Sequence, residues 1–199
     1  MAQKTNTYHH GNLSSALVSA GVAFLQDHGA EQLSLRAVAE RVGVSRTAPY
    51  AHFPDKRSLL LAISVEGFRQ LSRAMEARRK DGEPAREQIL AFGAAYVQFA
   101  LDNPNLYRLM LSTMTPGSEG GDADVYWQDL MAEATKPYAI LNAEFDRLVA
   151  EPTRAKALSQ GAWGMVHGLA SLVGEGLIVP PNGGVEEILR TFMRAQQRP

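Results

Sequence analysis

Apolar residues recur at helical spacing along nearly the whole chain, and no stretch alternates convincingly with the period of a strand. Leu13, Leu17, Ala20, Phe24 and Leu25 mark a first helix over about residues 12–28, stopped by Gly29. Ser34 is placed to cap a short second helix, whose apolar face is Leu35, Val38, Ala39 and Val42. Gly43 follows the last periodic residue, where a left-handed backbone ends a helix cheaply. Ser45 then reads as a second N-cap, opening a third helix of about two turns with Arg46, Thr47, Tyr50 and Ala51 outward. Pro49 sits near the fourth position of that helix and removes one backbone hydrogen bond.

Asp55 caps a long fourth helix predicted to run to about Lys80, with Leu59, Leu60, Ile63, Phe68, Leu71 and Met75 on its apolar side. Arg78-Arg79-Lys80 fall in its last turn and are read as complementing the helix dipole rather than as a DNA patch. The break Asp81-Gly82-Glu83-Pro84 precedes a fifth helix from about Ala85 to Leu101. Asn103-Pro104 opens a sixth through about Ser112, and Thr115–Gly121 is glycine-rich and expected to be flexible. A seventh helix spans about Asp124–Val149, with Pro137 as a kink or boundary. Pro152 opens an eighth to about Gly174, the 179–184 loop follows, and a ninth closes the chain over about Val185–Gln196.

Residues 33–59 carry the chemistry. Short helix, glycine turn and short helix make a helix-turn-helix, whose second helix lies in the DNA major groove. Arg46 has the reach and fork geometry for guanine O6 and N7, and Thr47 suits a phosphate or a thymine methyl. Tyr50, His52 and Lys56 can donate to phosphate oxygens. Ser34, Arg36 and Ser45 complete the candidate DNA-binding set.

The segment resembles the N-terminal domain of the TetR family of transcriptional regulators. The resemblance lies in Val38-Ala39, Gly43-Val44-Ser45, Tyr50, His52-Phe53, Lys56 and Leu59, with Leu13, Ala20, Phe24 and Gly29 before them. It covers about the first third of the chain. One departure stands out: where the family has glycine-threonine-leucine before the tyrosine, this chain has Thr47-Ala48-Pro49. Trp163, His167 and Gly168 resemble a second signature, the tryptophan-histidine-glycine pattern of one branch of the family.

The resemblance implies an all-α fold of about nine helices. An N-terminal three-helix helix-turn-helix domain (1–54) would be joined by the long fourth helix to a C-terminal helical ligand-binding and dimerisation domain (55–199). It also implies a bacterial, cytoplasmic protein that binds double-stranded DNA as a homodimer and answers to a small-molecule effector, most often as a repressor. Candidate pocket residues are Phe92, Tyr96, Phe99, Tyr107, Met110, Trp127, Met131, Trp163 and His167, apolar or aromatic and all in the middle helices. Each also suits plain core packing, and His167 suits a hydrogen-bonded interior position. Candidate dimer residues are Leu169, Leu172, Val173, Ile188, Leu189 and Phe192 on the last two helices, more apolar surface than one helical layer needs. Gly161, Gly164 and Gly168 clear one side of the eighth helix for a close neighbour.

Composition narrows the alternatives. The chain has 199 residues and no cysteine, so neither a disulfide framework nor a thiolate metal site is available. No apolar run approaches the roughly 20 residues of a membrane span, and Met1–Tyr8 lacks a signal-peptide core. The net charge of −1 hides a split: residues 1–80 carry a net +5 and residues 81–199 a net −6. A basic N-terminal part on an acidic body suits a DNA reader. There is no phosphate loop, nucleophile elbow or metal-ligand cluster, so neither an enzyme nor a cofactor is expected. His9-His10 is read as a pair near DNA rather than on a metal. The competing class is a helical small-molecule carrier or scaffold without DNA binding.

Overall fold

The computed structural model describes residues 10–114 and 124–195. The expectations for the N-terminal arm, the His9-His10 side chains and Thr115–Gly121 lie outside the described residues. Those residues form α1 (His10–Asp27), α2 (Leu35–Val42), a 3-10 helix (Ala48–Ala51), α3 (Lys56–Glu76), α4 (Ala85–Asp102), α5 (Pro104–Thr113), α6 (Val125–Ala134), α7 (Lys136–Leu148), α8 (Pro152–Gly174) and α9 (Gly184–Ala195). The fold is all-helical, as expected. Two compact units result: Met1–Gly67 with Asn105–Leu130, and Phe68–Pro104 with Met131–Pro199. Helix α3 runs from one into the other, and so does α6.

In the first unit α1, α2 and the 3-10 helix pack on one another. Leu17, Leu25, Leu33, Val38, Phe53 and Ile63 are buried in its core. Burying one such side chain contributes roughly 1.5–3 kcal/mol. Gly21 sets the approach of α1 to α3: a Cβ there would lie 2.4 Å from Ile63 Cδ1. The caps read from sequence at both ends of α2 are present. Ser34 Oγ accepts from Ala37 N–H at 3.1 Å, and Gly43 at φ 79° donates to Ala39 O and Glu40 O. Asp55 caps α3 through Ser58 N–H at 2.7 Å and the Ser58 hydroxyl at 2.8 Å. Those donated bonds favour the ionised form and hold its pKa below the ordinary carboxylate value.

The third predicted helix differs. No α-helix opens at Ser45. Its hydroxyl pairs with Thr47 Oγ1 at 3.2 Å, and the regular element is a single 3-10 turn. Pro49 is the reason. An α-helix would bring the residue-49 N–H to Ser45 O, and proline has none. Ala48 N–H takes that carbonyl instead at 3.0 Å, one residue early, which tightens the turn. Pro49 itself is buried beneath it.

In the second unit α4 is central, packed by α7, α8 and α9, and therefore buried around most of its circumference. Two sequence expectations are corrected here. The fourth predicted helix ends at Glu76 rather than Lys80, so Arg79 lies beyond its last turn. Its guanidinium serves carboxylates, not the dipole: it reaches Glu76 at 2.6 Å and Glu144 at 2.9 Å, and sits 4.9 Å above the Phe92 ring. Glu144 is only 1% exposed and also receives Arg147, so a buried charge is paired rather than isolated. Gln88, equally buried, holds the segment after α3 by accepting from Lys80 N–H and donating to Arg78 O. The predicted seventh helix is two helices broken at Thr135, with Pro137 buried in the first turn of α7, the boundary its sequence suggested.

Candidate functional site

Ser45, Arg46 and Thr47 just before the 3-10 turn and Tyr50 within it face solvent, Tyr50 with 49% of its surface exposed. Arg36 is exposed in the first turn of α2. Ser34 keeps its hydroxyl proton for donation while its oxygen caps α2. Lys56 is half-buried and spends one of its three donors on Glu31 O at 3.0 Å, leaving two for a phosphate. His52 is half-buried, and its carbonyl accepts a 2.6 Å bond from the Tyr126 hydroxyl. These are the donor types a duplex contact needs, spread over the start of α2, the proline-stiffened turn and the start of α3.

Tyr126 is a residue the sequence reading assigned no role at this site. It lies at the start of α6, its ring is 6.1 Å from Phe53, and its hydroxyl ties down the His52 carbonyl just after the recognition turn. Beside it Asp124 caps α6 and pairs with Arg57 at the start of α3. The arginine hydrogen bond, followed by the capping amides, lowers the Asp124 pKa. Nothing local in a sequence marks partners separated by 74 residues. Tyr126→Phe is expected to cost about 0.5–1.5 kcal/mol. Amide exchange at residues 48–53 should rise with it; unchanged protection there would mean the hydroxyl does not hold the turn.

Of the nine candidate pocket residues, Tyr96, Trp163 and His167 are brought together in the second unit. The Tyr96 and Trp163 rings lie 5.0 Å apart edge to face, and Trp163 and His167 4.6 Å apart. His167 Nδ1–H donates to Trp163 O at 2.8 Å, which leaves Nε2 to accept from the Tyr96 hydroxyl at 2.9 Å. Tyr138 abuts Trp163 and bonds Ser159. Phe92 and Phe99 are buried in α4, and Met131 is half-buried. Tyr107, Met110 and Trp127 belong to the first unit.

Burial pushes the His167 pKa down, the bond to Trp163 O opposing it only in part. The unfolded chain therefore takes this proton first, and stability should fall as pH drops below about 6.5. The lowered carboxylates Asp55, Glu76 and Asp124 act in a separate window, losing their stabilisation only below about pH 4.5. In urea unfolding at pH 7.5 and 5.5, His167→Gln should flatten the loss the parent shows. Parallel losses in both proteins would exclude His167 as the source.

An apolar groove of about 480 Å³ opens elsewhere in the second unit, between α8 and α9 over α4 and α7, and none of the nine lines it. Of the candidate dimer residues, Leu169 and Leu189 are buried within the chain, and Val173 and Ile188 are half-buried. Leu172 and Phe192 are exposed. Positions Gly161, Gly164 and Gly168 have no described atom within 4 Å of a built Cβ, so the close packing they suggested is not made among the described residues.

Within the first unit, α2, the Gly43 turn and the exposed Arg46, Thr47 and Tyr50 that follow have the form of a helix-turn-helix, a DNA-binding module. Similarity to known proteins narrows this. Residues 17–63 match the family model described as bacterial regulatory proteins, tetR family, and residues 89–195 that of the tetracyclin repressor-like C-terminal domain. The chain belongs to the TetR family. Among similar proteins is the HTH-type transcriptional regulator Rv1816 of Mycobacterium tuberculosis (strain ATCC 25618 / H37Rv), 28% identical over 107 residues. That match takes in 53% of this chain and 46% of the relative, so the chain spans about half of the relative's length. A solved protein of unknown function from Rhodococcus sp. RHA1 is 28% identical, with 96% of each chain covered and a TM-score of 0.78. The TetR-family transcriptional regulator PfmR of Thermus thermophilus shares the fold at 20% identity, with 88% of this chain and 93% of that one covered and a TM-score of 0.62. Among the described residues no helix is long and apolar enough to cross a membrane.

Proposed function

We propose that this protein is a sequence-specific DNA-binding transcriptional regulator, a homodimer released from an inverted-repeat operator by a small-molecule effector. The observation that carries the reading is the exposed set Arg46, Thr47 and Tyr50 on a turn anchored by buried Pro49, inside the segment that matches the family's N-terminal model. One such turn makes few base contacts, so a dimer reading two half-sites about 34–36 Å apart is the economical arrangement. Exposed Leu172 and Phe192 and the open glycine side of α8 support a second copy on that face. An effector that binds the non-operator state more tightly lowers operator affinity by its differential binding, typically about 1–3 kcal/mol of coupling.

The test is selection of the full chain against a random duplex library at two salt concentrations. Enrichment of an inverted repeat, with affinity falling steeply in salt, is the expected result. A second reading, a helical ligand carrier without DNA binding, is favoured by one observation: the recognition element is a single 3-10 turn instead of an α-helix. No enrichment at either salt, with small-molecule binding retained, would select it.

A further inference from the structure

We propose that Tyr126 and Asp124 are positioning residues for base reading, so that the DNA-reading head is the helix-turn-helix completed by the start of α6. The reading element supplies little rigidity of its own. It is one 3-10 turn without a side-chain cap at Thr47, and such turns make poorer hydrogen bonds than an α-helix. Its outgoing end closes on a single carbonyl: His52 N–H and Phe53 N–H both reach Pro49 O at 2.9 Å. An α-helix would carry that end on its own ladder of bonds. Here the next restraint on it comes from 74 residues away, and Tyr126 supplies it. The Tyr126 hydroxyl donates to His52 O at 2.6 Å, so both backbone polar groups of His52 are held. Asp124 does two things at once. Its Oδ1 accepts from Tyr126 N–H at 3.1 Å and from Trp127 N–H at 3.2 Å, which fixes the backbone that carries the Tyr126 side chain. Its Oδ2 pairs with Arg57 in the first turn of α3. The link from the reading turn to α3 is therefore gripped at both ends, His52 and Arg57, by two residues of one helix start. All of these residues belong to the first unit.

The grip bears on recognition because base contacts are exacting. A guanine contact by Arg46 and a methyl contact by Thr47 need those side chains within about 0.5 Å of the productive place. Both residues stand on exposed backbone at the entry to the turn, with Tyr50 inside it, so a small swing of the turn moves every reader together. Such a swing has its own signature. Deleting one reader relaxes one base position, whereas tilting the turn relaxes every position it reads. A change that merely destabilises the fold lowers the active fraction and weakens all duplexes in the same ratio. The role presupposes the DNA-reading function proposed above.

The test uses the full chain, the duplex enriched by selection and a scrambled duplex of the same composition, and reads the ratio of the two affinities. Tyr126→Phe should lower that ratio at least about fivefold, and selection repeated with it should flatten preference across the whole half-site. Asp124→Ala should do the same. Asp124→Asn keeps an oxygen for the two amides and should stay within about twofold of the parent. The changed charge beside Arg57 alters phosphate attraction on both duplexes alike and so cancels from the ratio. Tyr138→Phe deletes a hydroxyl bonded to Ser159 in the second unit and should leave the ratio within about twofold of the parent. A parent-like ratio for Tyr126→Phe would overturn the positioning role and leave DNA reading intact. Relaxation at a single base position would overturn it as well, making Tyr126 a direct contact. An equal fall with Tyr138→Phe would reduce the effect to general hydroxyl loss and overturn it too. A parent that prefers no duplex would remove DNA reading itself, and the role with it.

Discussion

Phe53→Ala is expected to destabilise the first unit by about 3–5 kcal/mol, the largest effect of any single change considered for this protein. The ring is 2% exposed and follows directly on the recognition turn. Its backbone N–H closes that turn on Pro49 O at 2.9 Å, and its ring neighbours Tyr126. Alanine would leave a cavity under the turn that carries Arg46, Thr47 and Tyr50, and the lost contacts are not recovered by a structure pinned elsewhere by Pro49 and the Asp55 cap. Since whole domains are stable by about 5–15 kcal/mol, the loss takes a large share of the total. Urea unfolding followed by helical circular dichroism should show the fall in midpoint, with operator binding weakened in proportion to the folded fraction. A change below about 1 kcal/mol would mean that the turn is not held by the core.

Arg46→Ala acts by a different route. The side chain is exposed, so folding stability should be unchanged within about 0.5 kcal/mol. The loss falls on recognition: about 1–3 kcal/mol on the selected operator, and relaxed preference at one base position in each half-site. Binding to a scrambled duplex should weaken far less, because a phosphate contact would be lost equally from both. Equal weakening on the two duplexes would make Arg46 a backbone contact and leave base reading to Thr47 and its neighbours.

The two variants separate what holds the turn from what the turn reads, and the same division runs through the sequence. Elements whose signals are local were legible. The α2 caps at Ser34 and Gly43, the Asp55 cap, the break before Ala85 and the α7 boundary near Pro137 all depend on residues within a few positions of one another. The exposure of Arg46, Thr47 and Tyr50 was legible too, because they are polar residues in a short segment between apolar stretches. The course of the recognition element was not. A Ser45 cap and a helix of two turns agreed with the pattern. The outcome turned on which carbonyl could be satisfied once Pro49 withheld its N–H.

Where local patterns are degenerate, only tertiary structure decided. Aromatic and methionine residues in the middle helices looked alike in sequence. Packing made one group a hydrogen-bonded cluster around His167, placed others in the first unit's core, and left the groove to Leu141, Phe145, Met165 and their neighbours. Arg79 read as a cation at a helix end because the buried one of its two carboxylates, Glu144, is 65 residues away. Tyr126 gave no sign that it holds the carbonyl of His52. What the sequence by itself determined is the helical class, the helix-turn-helix and the family, each written in short-range spacing and capping. What the structure alone decided is which distant side chains meet, because burial and charge pairing are settled by three-dimensional proximity, which chain separation does not encode.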